Sequence, residues 1–502
     1  MAESNPNASS NPSSKANPKA NTNLRSNPKV MLVVILISNL LASFTQSIMN
    51  IALDQVATDF HVSLSVANWM VLGFTIVAAT TITMAGSLLK RFGVRKIMAF
   101  GYITALIGSL LGLFADNFAM MFVARLIQAL TIGLFFPTVS SVIMAVAPKG
   151  KSGTLLALNS GVIGFALALT PLVTGLLLTE FGLRSLFVVP AVLSVILIVI
   201  GYFFLYDVFP REDRKIDLLS VVLSLAGLGM FIYGLNEITR DPLPSSAIMV
   251  GGIIVLGLFA WRQFSIPNPL LDLTPLKHLS FASGEVLMMI GYMGSIFMSL
   301  LVPLYLEGAA GFTAFITGAL VIAPVLCYAV SCIISGKIED KYGIWPLVPL
   351  GFLLLVVGFL VTQVTSANML IVPMIIALGV SFAGIGLLFP SLKAHDLQLL
   401  PQKMEDFGSS IHSTLVQIAG SIGSALFVGI MSADVDKLMA DGASKADAYA
   451  SGFSFSLTIA IGILVVGFIG SIIFSRATRK HRSKGQPSDP STQKRMTKGS
   501  SD

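Results

Sequence analysis

Four ionisable residues fall within or at the edge of long apolar stretches of this 502-residue chain, and each could carry a proton or a counter-charge. Arg125 sits about eight residues into the stretch 117–140, Glu285 four residues into 281–306, and His412 four residues into 408–431, while Asp54 closes 30–53. A charge at mid-bilayer costs about 2.5–3.5 kcal/mol on insertion scales, so each needs a partner or a wet cavity. Histidine titrates near about 6.5 and a carboxyl exchanges its proton with water, so Glu285 and His412 have the chemistry of proton carriers. Taken singly, each is more simply read as reaching back to the interface. Arg125 has two readings, proton or substrate coupling and a structural hydrogen bond to carbonyls of a neighbouring helix. Asp54 is either a hydrated carboxylate or a proton entry site. Thr45, Gln46, Ser47 and Asn50 cluster in the first stretch, with Gln46 and Asn50 on one helix face at i, i+4. They could face a cavity for a mostly apolar solute with a few polar groups, or bond to neighbouring helices.

The elements that must position these groups follow from composition. Hydrophobic residues make up 54% of the chain and charged residues 11%, with a mean hydropathy of +0.84, whereas a soluble domain carries about 25% charge. Windows able to cross roughly 30 Å of hydrocarbon, about 20 residues each, occur near 30–53, 66–89, 97–115, 117–140, 156–179, 183–206, 217–237, 247–264, 281–306, 312–335, 346–366, 369–391, 408–431 and 452–475. Their helical period and length predict membrane helices rather than barrel strands. The expected fold is an all-α polytopic membrane protein with fourteen transmembrane helices.

Orientation comes from the basic residues. With the N-terminus cytoplasmic, 27 of the 32 Lys and Arg fall on the inner side, against Arg184, Arg240, Lys437 and Lys445 outside and Arg125 within a span. Both termini are therefore expected in the cytoplasm, in a multi-pass cell-membrane protein. The net charge of +7 then reflects topology and not nucleic-acid binding, because the cations are spread over separate loops. Residues 1–29 repeat Asn-Pro among Ser and Lys and are expected to be disordered, and the basic tail 476–502 to be disordered and close to anionic lipid. No signal peptide is read from the first apolar run. Cys327 and Cys332, five apart on one helix, imply neither disulfide nor metal site. APKGKSG (147–153) lacks the first glycine of a phosphate-binding loop, and Asn7-Ala8-Ser9 is a sequon on a cytoplasmic tail. No cofactor, metal or enzymatic cluster is indicated.

An internal echo organises the chain. GSLLKRFG (86–93) and GKIEDKYG (336–343) both fit G-x-x-x-[charged]-[basic]-[aromatic]-G and both join consecutive spans on the inner side. Gly86, Lys90, Arg91, Gly93 and Arg95 in the first copy, and Gly336, Asp340, Lys341 and Gly343 in the second, are candidate gating residues. The echo predicts a duplicated six-helix unit, 30–206 and 281–475, with two inserted helices and their linkers in 207–280.

These features resemble the fourteen-span drug:proton antiporter family of the major facilitator superfamily, the EmrB/QacA type, over about residues 30–475. The loop signature G-x-L-x-D-R-x-G-R-[RK] is matched by Gly86, Leu88, Arg91, Gly93, Arg95 and Lys96, and the fourth-span R-x-x-Q-G followed by Pro by Arg125, Gln128 and Pro137. The fifth-span Gly-Pro antiporter motif is similar to ALALTPLVTG, keeping Pro171 and Gly175. NPLLDL (268–273), VPLYLE (302–307) and GLLFPSLKAHDLQLLP (386–401) look like the family's equivalents in order and spacing. The chain departs from the pattern at several places: Lys90 replaces the loop aspartate, Thr45 the first-span aspartate, Thr170 and Thr174 motif glycines, Ala129 and Thr131 fourth-span glycines, and Val416 an arginine in STLVQ (413–417).

The resemblance implies a major facilitator fold of two six-helix bundles working by alternating access. It implies proton-driven efflux of amphipathic drugs or toxic metabolites by a monomer, its partners being a small-molecule substrate, protons and membrane lipids. Arg125, Gln128, Glu285, His412 and Asp54 are the candidates for coupling. The alternatives are a proton-independent facilitator, an exporter of lipid-like or peptide metabolites, and a non-transporting membrane sensor.

Overall fold

The computed structural model describes residues 27–485 apart from Lys149, Arg214, Thr239 and Arg240. Each apolar window becomes a helix, and fourteen helices among the described residues are long and apolar enough to cross a membrane. The first unit comprises α1 (Pro28–Ile51), the short α2 (Leu53–Asp59) and α3 (Leu64–Ala67), then α4 (Trp69–Phe92), α5 (Val94–Leu113), α6 (Phe118–Val146), α7 (Ser152–Phe181) and α8 (Val188–Phe204). Two inserted helices follow, α9 (Leu218–Glu237) and α10 (Pro242–Ser265). The second unit comprises α11 (Leu279–Gly308), α12 (Ala314–Tyr342), α13 (Leu347–Ala367), α14 (Ile371–Gln398), α15 (Glu405–Ala440) and α16 (Lys445–Gly485).

Helix starts carry local signals. Asn27 caps α1 ahead of Pro28, Asn117 accepts from the Met120 N–H at 2.8 Å to open α6, and Asp217 does the same for Ser220 at α9. An even number of crossings returns both ends of the chain to one face, here termed the termini side. Two expectations change. Asp54 does not end the first membrane helix, because α1 stops at Ile51 and Asp54 lies on the separate α2, its side chain outside the described residues. The last helix runs on to Gly485, ten residues into the stretch expected to be a disordered tail, while 1–26 and 486–502 lie outside the described residues.

Each unit has its own core. Phe297, Phe352, Phe359 and Phe453 anchor the second, and Phe74, Tyr102 and Phe135 the first. Rows of exposed aliphatics, such as Val192, Val195 and Val199 on α8 and Ile253 and Ile254 on α10, form the outer wall expected where acyl chains are the solvent. The inserted pair closes on itself at Gly252, where a Cβ would lie 2.5 Å from the Phe231 nitrogen. It then docks on one helix of each unit: Leu228 and Ile232 of α9 pack on Leu72, Ile76 and Ala79 of α4, with Ile418 of α15 beside them. A cavity of about 170 Å³ between α4, α9, α10 and α15, lined by Thr83, Leu228, Leu256, Leu271 and Ile418, marks this junction.

Candidate functional site

Arg125 is fully buried, the second turn of α6 having been set by the Asn117 cap. One guanidinium nitrogen, Nη1, donates to the backbone oxygen of Thr45 on α1 at 2.9 Å and to Gln128 Oε1 at 2.8 Å, and the group lies 4.1 Å above the Phe74 ring. Gln128 in turn donates to Ser109 of α5 at 2.9 Å. Nε and Nη2 of Arg125 have no hydrogen-bond partner. Thr45 is brought to the arginine by its backbone only, since its hydroxyl donates to Leu41 O within α1. Arg125, Gln128 and Thr45 thus form one cluster, whereas Gln46 is half-buried and Asn50 exposed on the same helix.

Glu285 and His412 are brought together. Read singly they should reach for the interface; instead both are sealed, at 1% and 4% side-chain exposure, with His412 Nδ1 3.1 Å from Glu285 Oε1. The pairing joins α11 to α15 across 127 residues of sequence, which explains why neither residue shows its partner locally. Asp396, near the end of α14, was not among the sequence candidates. It is 1% exposed, neither carboxylate oxygen has a hydrogen-bond donor, and a Cβ on Gly284 would collide with it. Glu285 and Glu339 both lie within electrostatic range of Asp396, and Lys393 within range of Glu285. One signal could have found it: GLLFPSLKAHD (386–396) aligns with GLFFPTVSSVI (133–143) through the intrahelical prolines Pro390 and Pro137, setting Asp396 against Ile143. No grouping of His, Cys, Asp and Glu among the described residues has the geometry of a metal site.

The two echoed loops both sit on the termini side and both touch the opposite unit. In the first, the Gly86 N–H donates to Ser410 Oγ on α15 at 3.1 Å, and a Cβ on Gly86 would lie 3.1 Å from Phe407. Lys90 is buried, donates to the backbone oxygen of Lys403, and stands 4.4 Å over the Phe407 ring. Arg91 lies over Phe92, and Gly93 opens α5 at φ 80°, ψ 167°, which favours glycine. Asp207 accepts from the Arg95 N–H at 3.0 Å, and Arg95 donates to Tyr202 O at 3.1 Å. In the second, Gly343 has nearly the same backbone, φ 81°, ψ −177°, so the echo is conformational as well as verbal. Asp340 accepts from the N–H groups of Gly153 and Thr154 at 3.1 and 3.0 Å and from the Thr154 hydroxyl, capping the positive end of α7. A Cβ on Gly336 would lie 2.7 Å from Thr154 Cα, and Lys341 covers Tyr342. Further bonds between the units, Ser409 to Pro137 O at 2.9 Å and Gln398 to Ser152 at 3.0 Å, also belong to this closed end.

Residues 35–424 match the model of the Major Facilitator Superfamily. The chain belongs to that superfamily. This major facilitator is 28% identical over 451 residues to the lincomycin resistance protein LmrB of Listeria monocytogenes serovar 1/2a, covering 86% of this chain and 95% of that protein. It is 23% identical to the tetracenomycin C resistance and export protein of Streptomyces glaucescens, covering 82% and 78%. Among solved structures, the major facilitator proton:xylose symporter XylE shares the fold at a TM-score of 0.56 and 15% identity, over 86% of this chain and 94% of that one. The architecture is accordingly that of a multi-pass membrane transporter, all helical, with two six-helix bundles and two inserted helices. In its fifth span, Thr170 and Thr174 are fully buried, while a side chain at Gly175 would meet nothing within 4 Å; the Pro171 side chain lies outside the described residues.

Proposed function

We propose that this transporter exports amphipathic drugs or toxic metabolites across the cell membrane in exchange for protons, with its termini and its closed gates on the cytoplasmic side. The observation that carries the coupling is the sealed Glu285–His412 pair, two groups able to trade a proton, hydrogen-bonded inside the membrane beside the closed end. Alternating access is supported by the nature of the bonds that hold this end shut. A carboxylate on a helix start and single side-chain bonds to backbone can be broken and remade without unfolding a helix. The substrate class rests on the names of LmrB and of the tetracenomycin exporter. The inward side rests on the excess of Lys and Arg in alternate loops.

A second reading, efflux without protons, is favoured by one observation: Arg125 bonds a backbone oxygen at Thr45 and not a carboxylate. Efflux of a panel of amphipathic antibiotics from proteoliposomes, with and without an imposed pH gradient, separates the two. Antiport predicts at least a tenfold faster efflux with the gradient; equal rates overturn it.

A further inference from the structure

We propose that the Asp396 carboxyl, together with the Glu285–His412 pair facing it, holds the exchanged proton while the termini-side end is shut and releases it when that end opens. This deepens the antiport reading above and rests on it. The starting point is an orphan: Asp396 is 1% exposed, and neither of its oxygens receives a hydrogen bond. A carboxylate anion buried without donors is among the most unfavourable states a side chain can adopt, whereas a neutral carboxyl carries no such charge. The closed conformation therefore holds a proton at this place.

Its surroundings reinforce the point. The charges that act on it are Glu285 of α11 and Glu339 of α12; Lys393 of α14 lies within range of Glu285, His412 of α15 bonds Glu285, and His395 is its neighbour on α14. Glu285 leaves Oε2 without a donor, and His395 leaves Nε2 without a partner while its ring meets Phe474 of α16 edge-on. Three carboxyls thus converge with few donors to share. In the first bundle the position aligned with Asp396 is Ile143, fully buried and apolar.

The location ties the proton to the gate. Leu397, next in the chain, packs in the core of the first bundle, and Gln398 bonds Ser152 at the start of α7, so the residues that flank Asp396 cross between the bundles. Parting the bundles would admit water to the carboxyl. The O–H bond then breaks, the proton passes to water, and the anion left behind is solvated; with no substrate bound, reclosing requires a proton to be taken up again.

The test follows the bundles directly. Spin labels at Lys96→Cys and Lys337→Cys, both exposed and on opposite bundles, report the opening, with Cys327→Ser removing the exposed native thiol and Cys332 left buried. In the reconstituted full chain, the ratio of shut to open distances should fall about tenfold per pH unit through the transition, the slope of one proton. Asp396→Asn, which mimics the protonated group, should stay shut across the whole range. Glu285→Gln should move the transition by at least half a pH unit. A pH-independent distance in the parent chain, or an Asp396→Asn variant that opens with the parent's slope, overturns the proposal. A parent that opens with pH while Asp396→Asn does the same leaves antiport standing and removes only this site. Efflux that ignores a pH gradient removes antiport itself.

Discussion

At the end of α12 the two bundles are joined through an anion, and at the end of α4 through a cation. Asp340 receives two N–H groups at the start of α7, where the helix dipole is positive and a carboxylate is stabilised. Lys90 stands at the start of α15, where the same dipole opposes it. It is tolerated because it finds the Lys403 carbonyl, two residues before that helix, and the face of Phe407, and because α15 carries Glu405 and Asp406 in its own first turn. The negative charge that the second junction places on the loop has moved, in the first, to the helix it meets. What a junction of this kind requires is charge complementarity at a helix start, and either side can provide it.

The packing differs in closeness: at the α12–α7 crossing a Cβ on Gly336 would lie 2.7 Å from Thr154 Cα and 2.9 Å from the Gly153 oxygen, whereas at the α4–α15 crossing a Cβ on Gly86 would have 3.1 Å to Phe407 and 3.2 Å to Ser410 Oγ and to the Asp406 oxygen. The largest effect is therefore expected at Gly336. Replacement by Leu forces a side chain into backbone and should abolish export with membrane insertion intact, while Gly86→Ala, whose Cβ has 3.1 Å to the Phe407 ring and 3.2 Å to the Asp406 oxygen and so needs only a few tenths of an ångström of give, should cost less than about 1.5 kcal/mol in the closed state. Drug efflux alongside quantified membrane protein decides it, and equal losses at the two sites would break the contrast.

Charge reversal sharpens it further. Asp340→Asn removes the anion from the α7 cap and should weaken closure by about 1–2 kcal/mol, a shift of roughly 5- to 30-fold in the shut-to-open ratio. Lys90→Asp brings a third carboxylate to a helix start that already has two, so it should open the same end by a smaller factor, about 2- to 5-fold. Distance measurements between the bundles read both. An unchanged ratio in Lys90→Asp would make the departure at this position neutral.

The smallest effect belongs to the inserted hairpin. Arg262, at the end of α10, donates to Asp217 at 2.7 and 3.0 Å and holds that carboxyl well below the usual range, at about 2. Because the native value lies below the unfolded one, the contribution is complete above pH ~4 and fades only as pH falls towards 2. Asp217→Asn should thus lower the melting temperature slightly and equally at pH 5 and pH 8, as expected for a partly exposed pair worth under about 1 kcal/mol. A pH-dependent difference between 5 and 8 would point to another group.

Composition and period made the fourteen helices legible, since twenty apolar residues leave few alternatives in a bilayer. The two echoed loops were legible for a related reason: both make a turn at φ near 80° and a close crossing, and both need glycine there. The buried chemistry was harder. Glu285 and His412 each look like interfacial residues until α11 and α15 bring them together, and Asp396 is hidden in KAHD near a helix end, where charge is ordinary. Its surroundings, and not its type or spacing, make it unusual. The docking of α9 and α10 across both bundles likewise depends on contacts between segments well over a hundred residues apart in the chain.

The bond between Arg125 and the Thr45 backbone also bears on how the chain is made. Spans leave the ribosome in order, so α1 is in the membrane before α6 arrives. An arginine entering lipid with no carboxylate awaiting it relies on whatever acceptor is already in place, and here that is a backbone oxygen which no side-chain substitution at position 45 removes. Its acceptor is written into the path of helix α1, so this bond does not wait on any part of the chain beyond α6.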